Sequence, residues 1–304
     1  MTRLALIIPS YARANDLATC LHAATNQTDP FDEIIVALRA GDEPSVRVAR
    51  EFGVRVATVS EPGVLAAMIA GVQASTCELV AFTDDDAVVP PTHAGRLRRA
   101  FADSTIGGVG GRDCLFDGDV PRPTALQSEV GRITRYGRVI GNHHCGTGAP
   151  RPVAMLKGVN SAYRRSLLAL PTGLRGQGAQ AHFEIAVGQW VRQQGATLLY
   201  DPSLTVEHHP ATRLGDDQRE APNETALFDS AYNLTRSLPQ RLQSRRVLYV
   251  LLVGDTNCPG LIRLGVAAIR REGSVLLRRR SSWAGTLAAW RDRHQPLAMH
   301  RFSE

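Results

Sequence analysis

The chain has 304 residues, 43% of them apolar and 6% aromatic, which is enough to bury a sizeable core, fits an α/β architecture and argues against disorder. The net charge of +6 is unevenly spread: residues 1–234 carry 22 basic and 25 acidic groups (−3), and residues 235–304 carry 13 and 4 (+9). Basic surface therefore belongs to the tail, and without the motifs of nucleic-acid modules no nucleic-acid partner is expected.

In chain order, Leu4 to Ile8 reads as a strand stopped by Pro9-Ser10-Tyr11. Asn15 and Asp16 offer caps for a helix through about Asn26. Asp32–Leu38 predicts a second strand, Pro44–Phe52 a helix, Val54–Val59 a third strand, and Pro62-Gly63 opens a helix running to about Ser75. This alternation predicts a Rossmann-like α/β fold with a largely parallel sheet flanked by helices, whose ligands bind beyond the carboxyl ends of the strands. Neither GxGxxG nor GxxxxGK[ST] occurs, so dinucleotide and P-loop chemistry are not supported.

The next strand carries the chemistry. Leu79-Val80-Ala81-Phe82-Thr83 ends in Asp84-Asp85-Asp86. Three adjacent carboxylates repel, and burying them unpaired costs several kcal/mol each. Carboxylates at i and i+2 suit Mg²⁺ or Mn²⁺, which complete their shells with substrate phosphates. A solvated acidic turn is the other reading of the same residues.

These pieces resemble a family. Ile8-Pro9-Ser10-Tyr11-Ala12-Arg13, the helix Pro62–Gly71, Val80–Asp86 with a following proline, Gly107–Arg112 and Gly158–Arg165 together look like family-2-type glycosyltransferases of the GT-A fold, over roughly residues 4–215. The resemblance implies inverting transfer of a sugar from a nucleotide-diphosphate donor to an acceptor hydroxyl. It implies a metal held by Asp84 and Asp86, with Asp85 ligating or placing the ribose. Tyr11 resembles the aromatic that packs on the nucleobase, and Pro9 opens that donor-side turn. Arg13, Arg39 and Arg112 are candidate diphosphate contacts. Asn160 and Arg164 fall on the acceptor-side segment. Where the family often places a base-reading aspartate the chain has Leu38-Arg39-Ala40-Gly41-Asp42, and Met68 and Ile69 replace a common arginine or asparagine.

For the general base the candidate is Glu184, at the start of a helix ending near Gly195 and in the second position of the family's acidic pair; Phe183 fills the first. A helix N-terminus is expected to lower its pKa. Residues 196–209 read as two short strands separated by Asp201-Pro202, with His208 resembling the family's histidine that reaches the metal. Residues 113–157 are expected to form a loop over the donor site, and His143-His144-Cys145 matches no zinc spacing.

Asn223–Leu238, Arg241–Val253 and Leu261–Ile269 predict helices of a basic C-terminal extension, residues 216–304, appended to a catalytic domain of residues 1–215. The run Val247–Val253 is too short to cross a bilayer. Basic amphipathic helices of this kind suit an anionic membrane surface; a helical cap with arginines facing water is the alternative. Five scattered cysteines without a CxxC spacing, and the absence of a convincing secretory signal, predict a cytoplasmic protein, with a peripheral place on the inner face of the membrane if the tail docks there. The expected partners are a nucleotide-sugar donor and a lipid-linked, glycan or small-molecule acceptor, as in bacterial envelope polysaccharide or natural-product glycosylation. Two other readings are a catalytically inactive nucleotide-sugar-binding protein of this fold and a sugar nucleotidyltransferase.

Overall fold

The structure is a computed structural model that describes residues 2–211, 223–255, 258–270 and 274–302. Its spine is β1 (Leu4–Ser10), whose first five residues are fully buried because both faces of the strand are covered. Strand β2 (Glu33–Arg39) and β4 (Leu79–Phe82) flank β1 in parallel, and β3 (Arg55–Val59) adds outside β2. Helices α1 (Ala14–Thr25), α2 (Glu43–Glu51) and α3 (Val64–Ala74) make the crossovers. Alternation along β1 sorts the core: Leu4, Leu6 and Ile8 pack with Leu17 and Leu21 of α1, and Ala5 and Ile7 with Leu65, Met68 and Val72 of α3. Met68 is thus a core residue.

Beyond β4 the sheet becomes mixed. After the short β5 (Ala87–Val88) and α4 (His93–Ala100) come the long β6 (Ile106–Asp117) and short β7 (Arg151–Pro152). Strand β8 (Ser161–Arg164) sits antiparallel between β4 and β6. The chain then makes β9 (Ala169–Pro171), α5 (Phe183–Gln193) and β10 (Thr197–His208), which runs parallel to β6. The sheet order is β7-β10-β6-β8-β4-β1-β2-β3.

Three expectations change. Residues 197–208 form one strand and not two: the register against β6 shifts between Asp201 and Thr205, and the Asp201 carboxylate accepts from Ser203 N at 2.8 Å, so the Asp-Pro step is absorbed as a bulge. Gly111 permits it, since a Cβ there would lie 1.7 Å from the Leu204 carbonyl oxygen. Helix α1 starts at Ala14, one turn position before Asn15 and Asp16 can cap it, because Ala12 takes a φ of 54° and turns the chain early. The loop expected over residues 113–157 is tied down in its second half: Ile133, Val139 and Met155 pack with Ile185, Leu234, Leu238 and Leu242.

The C-terminal helices are α6 (Glu224–Ser237), α7 (Gln240–Leu252), α8 (Leu261–Arg270) and α9 (Ser274–Arg291). Asn223 caps α6 through Ala226 N at 2.8 Å. Helices α6 and α9 cross closely at Gly285, where a Cβ would come 2.2 Å from the Phe228 carbonyl oxygen. The chain then returns to the first part of the fold: β11 (Met299–Arg301) pairs antiparallel with β9, and Phe302 joins the core beneath α3 and α5. The boundary expected at 215/216, and Arg271, lie outside the described residues. Among the described residues no helix is long and apolar enough to cross a membrane.

Candidate active site

The carboxyl ends of β1, β2 and β4 open on one side of the sheet, and the acidic turn sits there because β4 delivers it directly after Phe82 and Thr83. Asp85 and Asp86 are buried, and Asp84 is partly exposed. The sheet brings His208, the last residue of β10, to the same turn, since Glu207 and His208 pair with Val88 and Ala87. One ligand atom from each of Asp84, Asp86 and His208 lies within 4.8 Å of the others. Asp86 Oδ1 and His208 Nε2 face each other at 3.4 Å, both buried, and neither makes a hydrogen bond. Two desolvated donor atoms aimed at one point, one oxygen and one imidazole nitrogen, fit a divalent ion, and the nitrogen suits Mn²⁺ better than Mg²⁺.

The rest of Asp86 is fixed by backbone. Its Oδ2 accepts from Ala211 N at 2.8 Å, and its carbonyl accepts from His209 N at 2.9 Å. Arg13 supplies the missing countercharge to the turn, 3.0 Å from Asp85 and 3.9 Å from Asp86. Burial nevertheless pushes Asp85 up to about 6, with Arg13 pulling the other way. Asp86 stays below the usual carboxylate range: burial opposes this, and the adjacent His208, the Ala211 N–H and the charge of Arg13 outweigh it.

Sequence reasoning missed the far side of His208. Asp113, fully buried in β6, accepts from His208 Nδ1 at 3.4 Å and is also paired with Lys157. Lys157 is the only lysine in the chain, and that singularity was the signal available. Its charge also reaches Glu184. His208 is consequently pushed up to about 9: burial opposes protonation, but the hydrogen bond to Asp113 and the charges of the adjacent Asp86 and of Asp84 prevail. A divalent ion held at Nε2 would take the place of that proton.

Glu184 lies in the first turn of α5, behind a left-handed His182 with φ of 75°. The residue is partly accessible, yet its carboxyl group is enclosed by protein, and this burial raises its pKa. Hydrogen bonds from its own N–H and that of Gly158 and the charge of Lys157 oppose the rise, and Asp84 adds to it. The expectation that the helix terminus would lower this pKa is therefore reversed, because desolvation of a buried carboxylate exceeds the dipole's pull.

On the donor side, Tyr11, Ala12, Arg39, Gly41, Asp42 and Pro44 line a cavity of about 450 Å³. Tyr11 is 49% exposed, and the Arg39 guanidinium lies over its ring, 5.5 Å from the centroid. Pro9 holds the floor of this edge by pairing with Ala37. Asp42 is in the cavity but committed: it accepts from Ala12 N at 2.7 Å and Ser45 N at 3.3 Å. Asn160 is buried beside Phe82, donating to the carbonyls of Leu204 and Arg112 at 2.8 and 3.3 Å. Arg112 neighbours Asp113 in β6, with strand alternation aiming the two side chains to opposite faces. Arg164 stands apart from the others. It pairs with Leu79 at the opposite end of β4 and donates to the carbonyls of Phe101, Asp103 and Ile106.

A mixed sheet whose strand β4 runs into an acidic turn and whose strand β10 ends in a histidine against that turn, with helices on both faces, defines a GT-A fold. The chain belongs to glycosyl transferase family 2, whose model matches residues 5–169. It is 32% identical over 107 residues to the uncharacterized glycosyltransferase YibD of Escherichia coli K12, an alignment that spans 33% of this chain and 31% of that protein. Among solved structures, GalNAc-T7 with UDP, GalNAc and Mn²⁺ is similar with a TM-score of 0.62 at 14% identity, over 88% of this chain and 58% of that one. The mannosyltransferase PcManGT of Pyrobaculum calidifontis, in complex with GDP-Man and Mn²⁺, has a TM-score of 0.56 at 16% identity, over 97% and 87%. At these identities the structural likeness establishes the fold.

Proposed function

We propose that the chain moves a hexosyl or pentosyl group from a nucleotide-diphosphate-sugar to an acceptor hydroxyl with inversion, assisted by Mg²⁺ or Mn²⁺. The observation that carries this reading is the convergence of Asp84, Asp86 and His208 within 4.8 Å at the carboxyl end of β4, with the buried Glu184 in electrostatic reach of Asp84. Asp84, Asp86 and His208 would hold the ion, which would offset the negative charge that grows on the departing diphosphate.

The chain's own groups do the remainder. Tyr11 and Arg39 receive the nucleobase in the donor cavity, and Arg13 restrains Asp85 next to the ribose and diphosphate. Glu184 accepts the proton of the acceptor hydroxyl as its oxygen bonds to the anomeric carbon and the bond to the diphosphate breaks on the opposite face. Burial makes Glu184 a stronger base than an exposed carboxylate, and the charge of Lys157 works against that rise. Asn160 positions the backbone between the metal turn and the acceptor side. A lipid-linked, glycan or small-molecule acceptor is consistent with this arrangement, at the cytoplasmic side of a cell envelope. Residues 1–215 supply this chemistry, and residues 216–304 form the extension.

A thermal-shift panel of nucleoside diphosphates and their sugars, with and without Mn²⁺, tests the reading on wild type and Asp86→Ala. The expected result is a stabilisation that needs both metal and Asp86, about 2.7 kcal/mol at ligand concentrations one hundred times Kd. Stabilisation by no nucleotide in a folded protein overturns the donor site. Binding without turnover toward any acceptor selects the inactive binding protein.

A further inference from the structure

Of the ten large apolar side chains exposed among the described residues, six lie between residues 248 and 266: Leu248, Leu252, Val253, Leu261, Ile262 and Val266, each 46–63% accessible. On α7 the exposed positions Arg241, Arg245, Leu248 and Leu252 follow one another at helical spacing, so one stripe begins with two arginines and ends with two leucines. The opposite face of α7 is satisfied within the chain by Leu242, Arg246 and Val250. Within the stripe Arg245 donates to the Arg135 carbonyl at 3.4 Å, and the two leucines keep about half of their surface open to solvent.

The connection to α8 extends it. Gly254 bridges Pro259, and Gly260 N donates to the Val253 carbonyl at 3.2 Å, which sets Val253 beside the start of α8. Leu261 and Ile262 emerge there, and Val266 follows Ile262 by one turn on the same face. Burying even half of such a surface is worth several kcal/mol at about 25 cal/mol per Å², and patches of this kind on soluble surfaces mark a contact. The charge says which contact: residues 235–304 carry +9, and the arginines line the same stripe as the aliphatics. A cationic rim beside an aliphatic edge, on helices unable to span a membrane, matches an anionic bilayer surface.

We propose that the α7–α8 edge is a docking surface for anionic phospholipid bilayers, with Leu248, Leu252, Leu261 and Ile262 entering the headgroup boundary and Arg241 and Arg245 facing the lipid phosphates. The reading is separate from sugar transfer, since docking requires neither donor nor metal.

Flotation of the full chain with vesicles tests it: phosphatidylcholine alone, or phosphatidylcholine mixed with phosphatidylglycerol in equal parts, at low and high salt. The protein floats with the anionic vesicles and loses most of that binding at high salt. Arg241→Gln and Arg245→Gln each lower the partition coefficient by about five-fold, and the triple variant Leu248→Ser, Leu252→Ser, Ile262→Ser abolishes it with an unchanged Tm. Absence of wild-type binding to anionic vesicles, or undiminished binding of the triple variant, overturns the proposal. So does concentration-dependent dimerisation that the triple variant removes, which assigns the edge to a second copy of the chain.

Discussion

Asp113 and His208 meet across β6 and β10, Oδ2 to Nδ1 at 3.4 Å, both buried, with the other imidazole nitrogen turned to Asp86. A carboxylate on one ring nitrogen fixes the imidazole's tautomer and orientation and leaves the second nitrogen for a metal. Asp113→Asn is therefore expected to weaken Mn²⁺ binding about 10- to 100-fold, read by calorimetric titration of the metal alone. Unchanged affinity in a folded variant removes Asp113 from that role.

Metal binding should also release a proton. With His208 at about 9 before metal enters, the apparent Mn²⁺ affinity rises with pH until about pH 9. Calorimetry in buffers of different ionisation enthalpy measures the proton count, and His208→Asn should lose the pH dependence.

Glu184 sets activity against stability. Its raised pKa means the folded state holds its proton more tightly than the unfolded chain, so stability is lost as pH rises through the carboxylate range. Glu184→Gln should cut turnover at least about 10²-fold, leave donor binding intact, and raise Tm at neutral pH. Retained turnover would take Glu184 out of the mechanism.

Three histidines work in the acid direction. Burial pushes His93, His143 and His182 each down to about 4. The unfolded chain binds these protons near pH 6.5, so stability is complete above that and falls as pH drops toward 4. Urea midpoints measured from pH 7 to pH 4 should decline steeply, and His93→Gln should flatten part of the slope.

Helix α5 can be displaced from within. A Cβ on Gly188 would lie 2.4 Å from the Ala154 carbonyl oxygen and 3.0 Å from Met155 Cα. Gly188→Ala should cost about 1–3 kcal/mol and lower turnover further than Tm alone accounts for, because the helix carries Glu184.

The first half of the fold was legible because its signals are local. The apolar runs of β1, β2 and β4 and the punctuation at Pro9, Gly41 and Pro62 mark a parallel α/β unit, and Asp84 and Asp86 follow directly from the strand that carries them. His208 was reachable through resemblance to relatives. Asp113 was not, since one aspartate in a glycine-rich strand gives no hint that β10 will set a histidine against it. The pKa of Glu184 was misjudged for the same reason: its helix terminus is visible in sequence, its enclosure is not. The antiparallel insertion of β8 and the return of β11 to β9 are long-range pairings that periodicity cannot specify.

Lys157 has one more consequence. In a chain whose other cations are guanidinium groups and imidazoles, it offers the single side-chain amine, 35% exposed and tied to Asp113. An amine-directed acylating reagent thus has one side-chain target, on the Asp113 side of His208, and the fraction of Lys157 labelled, read on its own peptide, reports how many molecules have that amine covered at the moment of reaction.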